Sequence, residues 1–220
     1  MRVIIASMLL SMSVPSVWAQ TAPPATPAPA DPAPVEKPVV LPVVERANEI
    51  AGAKLVEALR KGGYVLYMRH AEQIPPKSTE CEPVNLTPVG AEQARKVGAA
   101  LRELKIPIGP LLTSEPCRNL DTAKLLGLGK YEINQGLNPG GMPQGFNPGP
   151  PRTRLLATLP PAGSNALLVS HVHGSRDKSE WMHLELAEII VYRPDGKGAS
   201  TPVARVRVEG WEELKKVVQP

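Results

Sequence analysis

Two short apolar runs, each stopped by a histidine, constrain this chain more than any other feature. Tyr64-Val-Leu-Tyr-Met68 runs into Arg69-His70-Ala71-Glu72, and Ala166-Leu-Leu-Val-Ser170 runs into His171. Short runs of this kind fit strands buried on both faces, as in parallel sheets covered on both sides. The segments around them have helical spacing. Glu45 to Lys61 carries Ile50, Leu55, Val56 and Leu59 on one stripe and stops at Gly62-Gly63. Thr87-Pro88 is a helix start, with Thr as N-cap and Pro at the first position, for a helix reaching about Leu104. Ala94, Val97, Leu101 and Leu104 share its inner face.

Further along, Pro110 to Thr113 reads as a strand, Ser114 to Leu126 as a loop and helix, and Tyr131 to Asn134 as a third strand. Leu137 to Pro151, rich in Gly, Pro and Asn, reads as a mobile loop, followed by a short helix over Arg152 to Leu159. Glu188 to Arg193 and Val203 to Val208 form a strand pair through Asp195-Gly196, and Trp211 to Val218 closes the chain as a helix. This alternation predicts an α/β three-layer sandwich with a mostly parallel central sheet. Ligands of such sheets bind beyond the carboxyl ends of the strands. Arg69, His70 and His171 fall at two such ends.

The N-terminal region has a different character. Arg2, the apolar run Val3 to Met12 and the small residues up to Ala19 match a secretory signal peptide, cut after Ala19. The run is shorter than the roughly 20 apolar residues of a spanning helix, and Gln20 leaves no cysteine there to carry a lipid. The expectation is a periplasmic or secreted protein with no stable membrane anchor after cleavage. Residues 20–44 are dominated by Ala, Pro and Val; proline at that density removes backbone donors and fixes φ, giving a disordered, extended linker. The remaining residues, about 175 of them, suit one domain over 45–220. In an oxidising compartment Cys81 and Cys117 read as a disulfide; two buried thiols are the alternative.

Net charge is +4, which weakly favours anionic ligands. Lys and Arg are scattered and aromatics are scarce (Trp 3, Tyr 4, Phe 1), so nucleic acid is not an expected partner. No phosphate-cradling P-loop or GxSxG elbow occurs. His171 and His173 would share one side of an extended segment, and with His183 they raise a metal reading. No HExxH helix or cysteine pair completes such a site, so neither metal nor cofactor is expected.

The chemistry-bearing segments form a set: Leu66-Tyr-Met-Arg-His-Ala-Glu72, Asn85-Leu-Thr-Pro-Val-Gly-Ala-Glu-Gln-Ala94, Thr113-Ser-Glu-Pro-Cys-Arg-Asn-Leu-Asp-Thr-Ala123 and Leu167-Leu-Val-Ser-His171. Together they resemble branch one of the histidine phosphatase superfamily, with its phosphoglycerate-mutase-like fold, from about Leu55 to Leu214. The chain looks especially like small exported bacterial members with Gly-Gly before the first strand. The resemblance implies that His70 takes the phosphoryl group, that Arg69 and Arg118 clamp its oxygens, that His171 adds a hydrogen bond, and that water releases phosphate. Glu72 matches the family's Arg-His-x-Glu and is expected to support these residues at the substrate.

Elementary chemistry favours the same residue types. Charge in phosphoryl transfer spreads over three oxygens, guanidinium forks match that geometry, and a neutral imidazole is a competent nucleophile. Two nearby arginines should hold His70 neutral. The family's usual acid after the third strand is replaced here by Asn138 or Pro139. Candidate proton donors are Glu132, Asp177, Glu180 and Glu188. Arg95 and Arg152 read as solvated helix charges, although Arg152, beside the Gly/Pro loop, is within reach of a substrate. The expected function is a metal-independent phosphomonoesterase acting on a small phosphorylated substrate. An exported location disfavours a mutase of sugar-phosphate metabolism. The alternative is a non-catalytic envelope protein that keeps the pocket to bind phosphate or phosphosugars.

Overall fold

Each buried strand feeds two cores at once. In the strand Val65–Arg69 (β1), Leu66 and Met68 enter one hydrophobic cluster, while Val65 and Tyr67 enter another. The strand Asn165–Ser170 (β4) does the same: Leu167 and Val169 face one way, Ala166 and Leu168 the other. This is the two-residue alternation of a pleated strand covered on both sides.

The computed structural model describes residues 50–75, 81, 85–138, 150–171 and 184–218, all within the unit Leu41–Pro220. The signal-like segment, the proline-rich linker, His173, His183, Asp177, Glu180 and residues 139–149 lie outside the described residues. No helix among the described residues is long and apolar enough to cross a membrane.

The remaining strands are Ile108–Thr113 (β2), Glu132–Ile133 (β3), Ile189–Pro194 (β5) and Ser200–Val206 (β6). They form a sheet in the order β3-β2-β4-β1-β5-β6. The first four are parallel; β5 runs antiparallel to β1, and β6 antiparallel to β5. Helices Gly52–Lys61 (α1), Pro88–Glu103 (α2), Cys117–Leu126 (α3) and Val208–Val218 (α5) contribute Leu59, Leu101, Leu126 and Trp211 to the larger cluster. Helix Pro150–Ala157 (α4) brings Leu156 to the smaller one. The expected three-layer sandwich with a mostly parallel sheet is the observed architecture.

Local signals act where expected. The Thr87 side chain accepts from the Gly90 N–H at 3.0 Å, with Pro88 inside the first turn. Gly62 has φ 82°, and a Cβ there would strike the Ser164 backbone, so only glycine lets α1 turn into β1 beside β4. Cys81 and Cys117 form a disulfide with Cα atoms 5.0 Å apart, closing a separation of 36 residues. By the chain-entropy account a loop of that size is worth about 4 kcal/mol.

Several boundaries differ from the sequence reading; the last strand spans Ser200–Val206 and the last helix already starts at Val208. Leu137, expected to open a mobile loop, ends a 3₁₀ turn (Gln135–Leu137) and is fully buried against the smaller cluster. Its apolar side chain is drawn into the core although its neighbours are loop-forming. Helix α4 begins at Pro150, because proline is well suited to a first helical turn.

Gly98 sets how closely α2 and α3 approach: a Cβ there would lie inside contact distance of the Leu126 carbonyl oxygen. Gly98→Ala should therefore destabilise by about 2–3 kcal/mol, the upper part of the overpacking range. A shifted urea midpoint at unchanged slope is the expected result; an unchanged midpoint would show that the helices separate freely.

Candidate active site

Strands β1 and β4 pair in register, Met68 with Val169 and Arg69 with Ser170. One residue further, the His70 N–H donates to the Ser170 carbonyl at 2.9 Å. His70 and His171 thus leave the sheet side by side, ring centroids 5.6 Å apart, both buried. Helix α3 is fastened over these strand ends by its own polar side chains. Thr122 Oγ1 accepts from the Ala71 N–H at 3.0 Å, and Asn119 Nδ2 donates to the Ser170 carbonyl at 2.8 Å. That seating brings Arg118, in the first turn of α3, onto His171, where Nη2 donates to Nδ1 at 3.1 Å.

Arg69 is held by the chain that enters β5. Its Nη1 donates to the Leu184 carbonyl at 2.8 Å and its backbone N–H to the Glu188 carbonyl at 3.1 Å. The Nε–H groups of Arg69 and Arg118 are buried without a hydrogen-bond partner among the described residues. Burial, then the Arg118 charge, pushes the Arg69 pKa down from its ordinary value. Two half-buried guanidinium groups with uncommitted donors form a site suited to an oxyanion.

The tautomer of His70 follows from hydrogen bonding. His70 Nδ1 is 2.9 Å from the Ala71 carbonyl, which can only accept, so Nδ1 carries the hydrogen and Nε2 keeps the lone pair. The His70 pKa is lowered to about 4, first by burial and then by Arg118 and Arg69. The arginines thus act as expected, but desolvation is the larger cause. His171 is lowered further, to about 3, by burial and by the charge of Arg118.

The carboxylates named from the sequence sit elsewhere. Glu72 Oε1 accepts from the Thr87 hydroxyl at 2.7 Å, which places it at the N-terminus of α2, where the helix dipole favours it, rather than on Arg69 or His70. This hydrogen bond ties Glu72 to the start of α2. Glu188 is buried and gripped by Arg205 at 2.6 and 2.7 Å, so its oxygens are occupied in an ion pair and are unsuited to proton donation. Glu132 is exposed at the sheet edge, in register with Leu112. Among the described residues, no carboxylate is hydrogen-bonded to His70 or His171 side chains.

Three residues of the site were passed over or misread. Ser114 Oγ lies 2.7 Å from His171 Nε2, and Asn138 Oδ1 accepts from Ser114 at 3.1 Å. Arg152, expected to be solvated, is buried; its Nη2 donates to the carbonyls of Leu137 and Asn138 at 3.3 and 3.0 Å. The available signals were the Thr113-Ser114 step at the end of β2 and the position of Asn138 where an acid was sought.

No protein-family model matches the sequence, and no curated protein matches it. Solved structures do. The protein histidine phosphatase SixA, determined as a complex with tungstate, matches at TM-score 0.50 and 17% identity, over 66% of this chain and 97% of that one. The chain carries the histidine phosphatase fold. The open reading frame Rv3214 of Mycobacterium tuberculosis is also similar, at TM-score 0.45 and 20% identity over 64% of this chain and 96% of that one. So is a phosphoserine phosphatase mutant of Entamoeba histolytica, at TM-score 0.43 and 14% identity over 64% and 95%.

Within this histidine phosphatase fold, two neutral buried histidines have a thermodynamic consequence. The unfolded chain protonates both near the ordinary value of 6.5, whereas the folded one does so only at about 4 and about 3. The unfolded state therefore binds more protons between those values, and stability must fall as pH drops from about 7 to about 4. Each ring contributes on the order of 3 kcal/mol. Urea midpoints against pH should show this slope, and His70→Asn should remove roughly half of it; an unchanged slope would contradict the neutral assignment of His70.

Proposed function

We propose that this protein hydrolyses phosphomonoesters without a metal, passing the phosphoryl group through His70. The reading is carried by the buried Nε–H donors of Arg69 and Arg118, uncommitted among the described residues, beside an imidazole with a free Nε2 lone pair. The two guanidinium groups hold the phosphoryl oxygens while Nε2 attacks phosphorus. The P–N bond forms as the bond to the leaving oxygen breaks, and that oxygen takes a proton from solvent. Water then attacks phosphorus, the P–N bond breaks, and phosphate leaves with His70 restored. Tungstate, the ligand of the SixA complex, is a tetrahedral oxyanion like phosphate, which supports a site for that class of group.

Substrates whose leaving group needs little protonation test this reading most directly, because they react without help from a proton donor. Small aryl phosphates meet that condition. We place the enzyme outside the reducing cytoplasm, on the Arg2 to Ala19 pattern and the Cys81–Cys117 disulfide. The amide of Asn138, in place of an acid, favours one other reading: a protein that binds phosphate or a phosphosugar without turnover.

An aryl phosphate assay on the purified chain, with and without chelator, separates the readings. Turnover should survive chelator and fall on the order of 10³-fold or more in His70→Ala. A folded protein that binds phosphate yet hydrolyses nothing would be the binding protein; full activity in His70→Ala would exclude the phosphohistidine route.

A further inference from the structure

We infer that Ser114 and Asn138 are positioning residues that fix His171 as the Nε2–H tautomer, so that an oxyanion entering the pocket binds together with one proton taken up at His171 Nδ1. The inference rests on the oxyanion pocket proposed above and deepens it.

The argument starts from a group whose hydrogen is not in question. The backbone N–H of Glu115 points at Asn138 Oδ1 at 2.8 Å, and a backbone N–H can face only an acceptor, so this amide atom is the oxygen. Ser114 Oγ is 3.1 Å from the same oxygen and must donate to it. Its single hydrogen is thereby committed. Towards His171 Nε2, 2.7 Å away, Ser114 can only accept, so Nε2 carries the hydrogen. The opposite side of the ring agrees independently: Arg118 Nη2 is a donor only, so Nδ1 at 3.1 Å presents its lone pair. The hydrogens run one way, from Arg118 through His171 and Ser114 to Asn138. Asn138 Nδ2 passes the direction on to Glu115 Oε2 at 3.1 Å. The same Nδ2 also donates to Gln135 Oε1. All four bonding positions of this amide are therefore used. A carboxylate in its place would face two acceptors, so the surroundings of residue 138 suit an amide. Arg152 holds the carbonyls at 137 and 138 and so fixes the end of the chain.

The consequence is electrostatic. Towards Arg118 and the pocket, His171 turns a lone pair rather than an N–H. An oxyanion oxygen approaching that lone pair is repelled until Nδ1 gains a proton, whereupon it becomes a donor and Arg118 is free to turn to the anion. Among the described residues, the charged and titratable groups bearing on His171 are Arg118 of α3, His70 and Arg69 at the end of β1, and Arg152 of α4. The Tyr67 hydroxyl of β1 donates to its carbonyl at 3.0 Å. The cations among these oppose charge on the ring, and a bound dianion beside it favours the protonated form.

The test uses the full chain and sulfate, which brings no proton of its own at neutral pH. Histidine ¹⁵N chemical shifts without sulfate should show His171 Nδ1 unprotonated and Nε2 protonated; the reverse pattern would overturn the inference whatever sulfate does. Calorimetry in buffers of different ionisation enthalpy should then give about one proton taken up per sulfate bound. Ser114→Ala and Asn138→Leu each break the chain and should lower that uptake by about half or more, while Ser114→Thr, which keeps the hydroxyl, should retain it. Sulfate binding without proton uptake would sink the inference and leave the oxyanion pocket standing. No sulfate binding at all would remove both.

Discussion

The hydrogen bond from His70 N–H to the Ser170 carbonyl continues the β1–β4 ladder one step beyond its last strand residues. It fixes the two imidazoles as neighbours, and it exists only in one register. Moving β1 by one residue would send Leu66 and Met68 into the smaller cluster and Val65 and Tyr67 into the larger. The shapes of the two cores therefore determine which residues emerge together at the strand ends. Hydrophobic packing around the sheet is in this sense the first positioning element of the site.

Helix α3 adds charge to that frame. Its inner face is only partly apolar: Ala123 and Leu126 pack into the core, while buried Asn119 and Thr122 bond the strand ends. Polar atoms at those positions let Arg118 be suspended over two parallel strands whose terminal backbone groups need partners. The disulfide ties the same turn, through Cys117, to Cys81. Burying guanidinium groups beside imidazoles is tolerable because the imidazoles stay neutral. Each cation lowers its neighbours' tendency to charge, so the pocket holds its excess positive charge on the arginines alone.

The strands, the capped start of α2 and the meeting of His70 with His171 were legible because each depends on a local pattern: alternation, a Thr-Pro step, a histidine at the end of an apolar run. Arg152 was not legible. Its spacing is that of an ordinary surface charge, and only the burial of Leu137 creates the carbonyls it serves. Asn138 was noticed as a missing acid, yet its use became visible only once the fold set it against Ser114 and Glu115. The partners of Glu188 and Glu72 were hidden for a related reason: a sequence shows that a carboxylate lies near a strand end, but not which cation or hydroxyl reaches it first.

The turn of 184–188 shows how such a carboxylate still governs the site. Leu184 and Glu188 offer carbonyls to Arg69, and the Ala187 N–H donates to the His70 carbonyl at 3.2 Å, so this one turn holds both residues. It does so in a strained form, since Ala187 has φ 60°, a conformation costing on the order of 1 kcal/mol for a residue with a Cβ. Glu188 offsets that strain. Its Oε2 accepts from the Glu185 N–H at 2.6 Å, closing the turn, while Arg205 holds its carboxylate from β6. The buried ion pair is therefore an anchor between the antiparallel edge of the sheet and the first arginine of the pocket. Its carboxylate shapes the site through the backbone and leaves the field at the histidines to the arginines.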